Sequence, residues 1–249
     1  MMQAATTNAM NYFEKIYIIN LPLREDRRRE MDEQLKNIGL SLDSPYVEIF
    51  PAIRPESTGG FPSIGARGCF MSHLGVLRAA KLAGYERILI LEDDVDFEPN
   101  FNSRIVDILN NLKHQTWSIF YGGYELLNAK AQSSEITCSV NSVEPIRTTH
   151  FLAVQGSAIA ALATYLEAML ARSPGHADGG PMHVDGAYSW FRRENPSMVT
   201  LIAQPELGHQ RPSRTDIHDL NWYDRIVGIR QLVQLLRKLK RHYLKLKIN

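Results

Sequence analysis

Apolar positions along the chain fall into alternating rhythms that predict strands followed by helices. "KIYIINL" (Lys15–Leu21) reads as a strand, and "REDRRREMDEQLKNIG" as a charged helix ending at Gly39. "VEIFPAI" suggests a second strand, with a Pro/Gly-rich loop from Arg54 to Ser63 behind it. "GARGCFMSHLGVLRAAKLAG" reads as a loop running into a helix that stops at Gly84. The strand "RILILEDDV" and a helix from about Phe101 to Leu112 come next. "WSIFYGGY" is a short strand closing on Gly122-Gly123, "HFLAVQGSAIAALATYLEAML" a strand turning into a helix, and "MVTLIAQPEL" a late strand. Strands alternating with helices predict an α/β fold with a mostly parallel, helix-covered sheet.

One strand carries the chemistry. Ile88 to Leu91 are apolar at consecutive positions, as in a strand buried on both faces, and Glu92, Asp93, Asp94 and Asp96 follow at once. Two charges about 4 Å apart repel by about 1 kcal/mol in water and about 4 at an effective dielectric of 20. Solvent, helix amides or a cation must offset that cost. An extended strand would put Glu92 and Asp94 on one side and Asp93 on the other. Open α/β sheets bind ligands beyond the carboxyl ends of their strands, and hard divalent ions prefer carboxylate oxygens. Capping the helix after Pro99 would use one acid, Asp96 or Glu98, and leave the others unexplained.

The last segment has a different character. From Arg225 onward there are arginines and lysines but no Asp or Glu, and Ile229, Leu232, Leu236, Leu239, Tyr243 and Leu246 share one helical face. A basic amphipathic helix over 225–249 suits an anionic membrane surface, or packs on its own domain with the charges outward.

Composition narrows the classes. A net charge of +1 over 249 residues excludes a molecule that binds nucleic acid by overall charge. The two cysteines, Cys69 and Cys138, match no zinc or redox spacing, so a reducing compartment is expected, with Cys69 a small buried hydrophobe. "MMQAATTNAMNYFEK" has no secretory pattern, and no apolar run nears the roughly 20 residues of a membrane span. The expectation is a cytoplasmic protein, peripheral at the inner face of the membrane if its basic helix docks there.

Several motifs then fall in a familiar order. "IYIINLPLREDR", "GARGCFMSH", "LILEDDV", "WSIFYGG" and "PMHVD" resemble, in sequence and spacing, segments of glycosyltransferase family 25, from about Lys15 to Ile217. That family includes bacterial lipooligosaccharide galactosyltransferases and is related to the collagen galactosyltransferases. Pro22-Leu23 departs from its pattern after Asn20-Leu21.

The resemblance implies a GT-A type, Rossmann-like domain over 13–224, between a mobile terminus (1–12) and the basic helix. It implies an inverting transfer of galactose from UDP-galactose to a sugar hydroxyl of a lipooligosaccharide or related surface glycan, with Mn2+ or Mg2+ as cofactor. In that reading Asp94 and His209 hold the metal, Glu92 contacts the donor, and Asp185 is the base. Asn20, Arg27, Ser72, His73, Asp93, Gly122, Gly123 and Gln210 border the donor. For Ser72 and His73 the expectation is a helix opening, where free amides attract anions. The expected partners are the UDP-sugar, the glycan acceptor and an anionic membrane surface, with no nucleic acid. Alternatives are a glucosyltransferase using UDP-glucose, a magnesium-dependent phosphohydrolase built on Asp94-x-Asp96, and a binding module for nucleic acid or anionic lipid.

Overall fold

The computed structural model describes residues 8–126 and 135–211. Along them run β1 (Lys15–Asn20), α1 (Glu25–Asn37), β2 (Val47–Pro51), α2 (Ile64–Ala83), β3 (Arg87–Glu92), β4 (Val95–Phe97), α3 (Phe101–Lys113) and β5 (Ile119–Leu126). Then come β6 (Thr137–Val140), β7 (Ile146–Gln155), α4 (Ser157–Ala171), α5 (Val184–Glu194), β8 (Thr200–Ala203) and β9 (Gly208–Gln210). The basic segment 225–249 lies outside the described residues.

Seven strands form one sheet in the order β2-β1-β3-β7-β5-β8-β6, and β4 and β9 form a separate ribbon. Parallel pairing joins β2 to β1, β1 to β3 and β5 to β8, while β7 is antiparallel to β3 and β5, and β6 to β8. Five of the seven strands therefore share one direction. The expected α/β architecture, mostly parallel and covered by helices, is present.

Alternation along β3 divides the core. Ile88 and Ile90 join a cluster with Leu74 and Leu77 of α2, Leu162 and Leu166 of α4, and Tyr188 and Phe191 of α5. Leu89 and Leu91 point the other way, to Met31 and Leu35 of α1 and Ile105, Ile108 and Leu109 of α3. All four β3 residues are fully buried, together worth roughly 6–12 kcal/mol as an upper estimate. That exceeds a few kcal/mol of repulsion among the acids that follow, so the strand can hold them in place.

Two local expectations change. Ala9–Tyr12, expected to be mobile, form a 3-10 turn, because Asn8 caps Met10 N and Met10 is buried in the second cluster. The helix predicted to start late begins at Ile64, since Ser63 Oγ accepts from Ala66 N at 3.0 Å. It stops where expected, at Gly84, whose φ of 71° is the left-handed conformation glycine adopts without strain. Among the described residues no helix is long and apolar enough to cross a membrane.

Candidate functional site

Strand β3 ends at Glu92, and Asp93-Asp94 form the turn into β4. Three carboxylates leave this corner toward different partners. Glu92 follows the side of Ile88 and Ile90 and meets α2: His73 Nε2 lies 3.4 Å from its Oε1, and Thr149 Oγ1 donates to that oxygen at 2.7 Å. Asp93 turns to the α1 side, where Arg27 NH1 donates at 2.6 Å and Asn20 Nδ2 at 2.7 Å. Asp94, 3% exposed, meets Gln210 Nε2 at 3.4 and 3.5 Å and Arg27 NH1 at 3.4 Å. These contacts are long for charge-assisted bonds, which sit near 2.7–2.9 Å. Extended alternation past Leu91 therefore fails at Asp94, which the turn sends toward Arg27 and Gln210.

The electrostatics follow this unequal pairing. Burial pushes the Asp94 carboxyl up, and Glu92 and Asp93 add to the rise while Arg27 opposes it, leaving it at about 7. Burial also raises Asp93, against the pull of Arg27 and Asn20. Burial acts the same way on Glu92, but the His73 and Thr149 hydrogen bonds and the nearby histidines outweigh it and hold the carboxyl below its ordinary value. Arg27 meets two of the three acids, and of these the less closely paired is Asp94. A hard divalent ion fits that donor set: an oxygen-only cluster with surplus negative charge and a carboxylate lacking a short partner.

The segment "GCFMSH" supplies two faces of α2. Gly68 lets the Ile53 carbonyl come so close that a side chain would collide with it, and Ser72 Oγ bonds both Ile53 N (2.8 Å) and Gly68 O (2.7 Å). One position along, Cys69 and His73 share the face turned to Glu92. This corrects the expected helix opening. Ser72 and His73 sit in mid-helix, where backbone amides are already bonded, so no free amides are offered to an anion.

Other expected site residues make contacts within the chain. Asn20 and Arg27 converge on Asp93. Gly122 and Gly123 were expected to let a donor approach. Instead Phe151 fills the side open at Gly122, and His150 with the Gly208 carbonyl fills that at Gly123. Asp185, in the first turn of α5, accepts from Gly186 N at 2.7 Å and Thr148 N at 3.3 Å.

The late residues arrive through the β4–β9 ribbon, which pairs Val95 with Gln210 and Asp96 with His209. Successive strand residues face opposite ways, so His209 and Gln210 cannot both turn to Asp94. Gln210 does. His209 Nδ1 lies 3.1 Å from Glu98 Oε1 and its Nε2 3.8 Å from Asp96 Oδ2. Asp94 and Asp96 are thereby drawn to different partners, against the Asp94-x-Asp96 alternative.

Three participants escaped sequence reading. Thr149 reaches Glu92 from the antiparallel β7, Tyr188 Oη meets His73 Nδ1 at 3.3 Å, and Cys69 closes on His73 and Glu92. Only the four-residue spacing of Cys69 and His73 was a usable signal. Thr148, just before Thr149, has φ of 66°, unusual for a β-branched residue, and its buried hydroxyl has no hydrogen-bond partner.

A helix-covered, mostly parallel sheet with carboxylates at the carboxyl end of a central strand is the α/β, Rossmann-like arrangement that the sequence predicts. The profile of glycosyltransferase family 25 (LPS biosynthesis protein) matches residues 13–155, and the chain belongs to that family. It is 27% identical over 150 residues to human procollagen galactosyltransferase 2, covering 53% of this chain and 24% of that protein. A glycosyltransferase 25 family member of Aedes aegypti is 31% identical over 134 residues, 45% of this chain and 21% of its own. Human inactive glycosyltransferase 25 family member 3 is 26% identical over 140 residues, 49% and 24%. The chain thus spans about a quarter of the length of these curated relatives. A crystal structure of a glycosyltransferase involved in glycosylation of the major capsid of PBCV-1 overlaps 80% of this chain and 93% of its own, with TM-score 0.40 and 16% identity.

Proposed function

We propose that this family 25 glycosyltransferase domain is catalytically active, moving galactose from UDP-galactose to a sugar hydroxyl of a lipooligosaccharide or related surface glycan with inversion. The observation that carries the reading is the unequal neutralisation of the acidic turn: Arg27 satisfies Asp93, while buried Asp94 keeps only long contacts. The name of human procollagen galactosyltransferase 2 supports galactose as the sugar.

Asp94 would hold Mn2+ or Mg2+, with Gln210 beside it. Such an ion, when bound, supplies positive charge against the diphosphate of the leaving group. Glu92, ionised and fixed by Thr149 and His73, is placed to accept hydrogen bonds from donor hydroxyls. Asp185 takes the proton of the acceptor hydroxyl, its carboxylate aimed by the Thr148 and Gly186 amides. The basic segment 225–249 fits an acceptor held at an anionic membrane surface.

Thermal unfolding with Mn2+ and each of UDP, UDP-galactose, UDP-glucose and GDP-mannose tests the donor class. UDP ligands alone should raise the midpoint, and Asp94→Asn should lose the metal-dependent part of the rise. Equal stabilisation by GDP-mannose, or none by any nucleotide, would overturn the reading.

A further inference from the structure

Beside the acidic turn lies a second set of ligand atoms, of which the proposed transfer uses only Glu92. Cys69 Sγ, a ring nitrogen of His73 and a carboxylate oxygen of Glu92 all lie within 4.8 Å of one another. We propose that Cys69, His73 and Glu92 form a site for a borderline-soft divalent ion of the zinc class, distinct from the hard-ion position at Asp94.

The ligand chemistry is the first support. Thiolate and imidazole select zinc-like ions over magnesium or manganese, and three protein ligands leave a fourth, open position. Zinc–sulfur and zinc–nitrogen bonds of about 2.3 and 2.0 Å place tetrahedral ligands roughly 3.4–3.6 Å apart. His73 Nε2 already stands 3.4 Å from Glu92 Oε1, and a thiol within 4.8 Å needs only a small rotation to join them. Cys69 and His73 are one helical turn apart on α2, so the helix holds two of the three in fixed relation.

The surroundings are built as a metal site's usually are. The other ring nitrogen of His73 faces Tyr188 Oη at 3.3 Å, and a phenol can accept from Nδ1–H while Nε2 turns its lone pair to an ion. Thr149 Oγ1 orients Glu92 from the opposite side at 2.7 Å. Burial first, and then Glu92, Asp185, Asp94 and Asp93, push the thiol well above its ordinary value, so an ion must displace the thiol proton, while the same negative charges draw a dication in. Cys69 and Glu92 are partly buried and His73 is fully buried. Binding releases the thiol proton, shifts the imidazole proton to Nδ1, and forms one metal–sulfur, one metal–nitrogen and one metal–oxygen bond with no redox change.

The inference stands on these contacts and holds whether or not the chain transfers a sugar. The test is a titration of the full, reduced chain with Co2+, whose bond to a thiolate gives a sulfur-to-cobalt charge-transfer band. With two cysteines in the chain, Cys138→Ser alone assigns the sulfur without needing a Cys69 variant to fold. The band should appear at one equivalent, persist in Cys138→Ser and in Asp94→Asn, vanish in Cys69→Ser, and be displaced by Zn2+ but not by Mg2+. Absence of the band in the unaltered chain, or its loss in Cys138→Ser, overturns the site.

Discussion

Arg27 on α1 and Asp93 at the end of β3 make a 2.6 Å ion pair with both side chains nearly enclosed. The pair joins the N-terminal helix to the acidic turn and neutralises one of three adjacent acids. Breaking a buried pair from one side leaves a stranded charge and costs about 3–5 kcal/mol. Arg27→Met should therefore lower the unfolding free energy measured in urea by that amount, and Arg27→Met with Asp93→Asn should recover more than half. Equal loss in the single and double variants would mean that packing, not charge, dominates.

The sign of the Asp94 effect is opposite. Its folded carboxyl is pushed up to about 7 from an ordinary 3.8, so the folded chain keeps a proton the unfolded chain has lost. That stabilisation is complete below about pH 3.8 and is lost as pH rises through 7. Asp94→Asn should then make the ion-free protein more stable at pH 8, by roughly 0.5–2 kcal/mol, while removing the response to Mn2+. In the unaltered chain, protons compete with the ion, and the Mn2+-induced rise in unfolding temperature should be larger at pH 8 than at pH 6. A pH-independent rise would place the ion elsewhere.

Thr148 holds a conformation that costs a β-branched residue about 1–2 kcal/mol, and its buried hydroxyl adds an unmet hydrogen bond. Thr148→Gly retains the amide that bonds Asp185 and should raise the midpoint of thermal unfolding. If instead the variant is less stable, the methyl group contributes more by packing than the backbone loses by strain.

Gly122 faces the Phe151 ring, and an added Cβ would meet its carbons at 2.6–2.7 Å. Gly122→Ala should cost about 1–3 kcal/mol by overpacking, measured by denaturant unfolding, with donor affinity unchanged once folded. Weaker UDP binding at undiminished stability would return this glycine to the donor site.

The parts of this architecture legible from sequence were those with long apolar periods. Ile88 to Leu91 announced a doubly buried strand, and Gly84 the end of its preceding helix. β4, β6 and β9 were lost because three or four residues carry little pattern unless, as in Thr200–Ala203 of β8, they are apolar almost throughout. The direction of β7 was hidden too: strand residues look alike whichever way they pair, and only the fold reveals that Thr149 approaches Glu92 antiparallel to it. The acidic residues themselves were readable, but their partners were not, since Arg27 and Gln210 are distant in sequence and either could have faced solvent.

The ribbon that brings Gln210 to Asp94 also sets a timetable for synthesis. About 55 residues separate the end of β7 from Gln210, which at roughly 5–20 residues per second is some 3–11 s of translation. Throughout that interval the nascent chain already contains β1, β3 and β7 but lacks the strand that closes over the acids. Until that strand docks, Asp94 lacks its Gln210 neighbour, so the last contact of the acidic turn falls after its scaffold has been made.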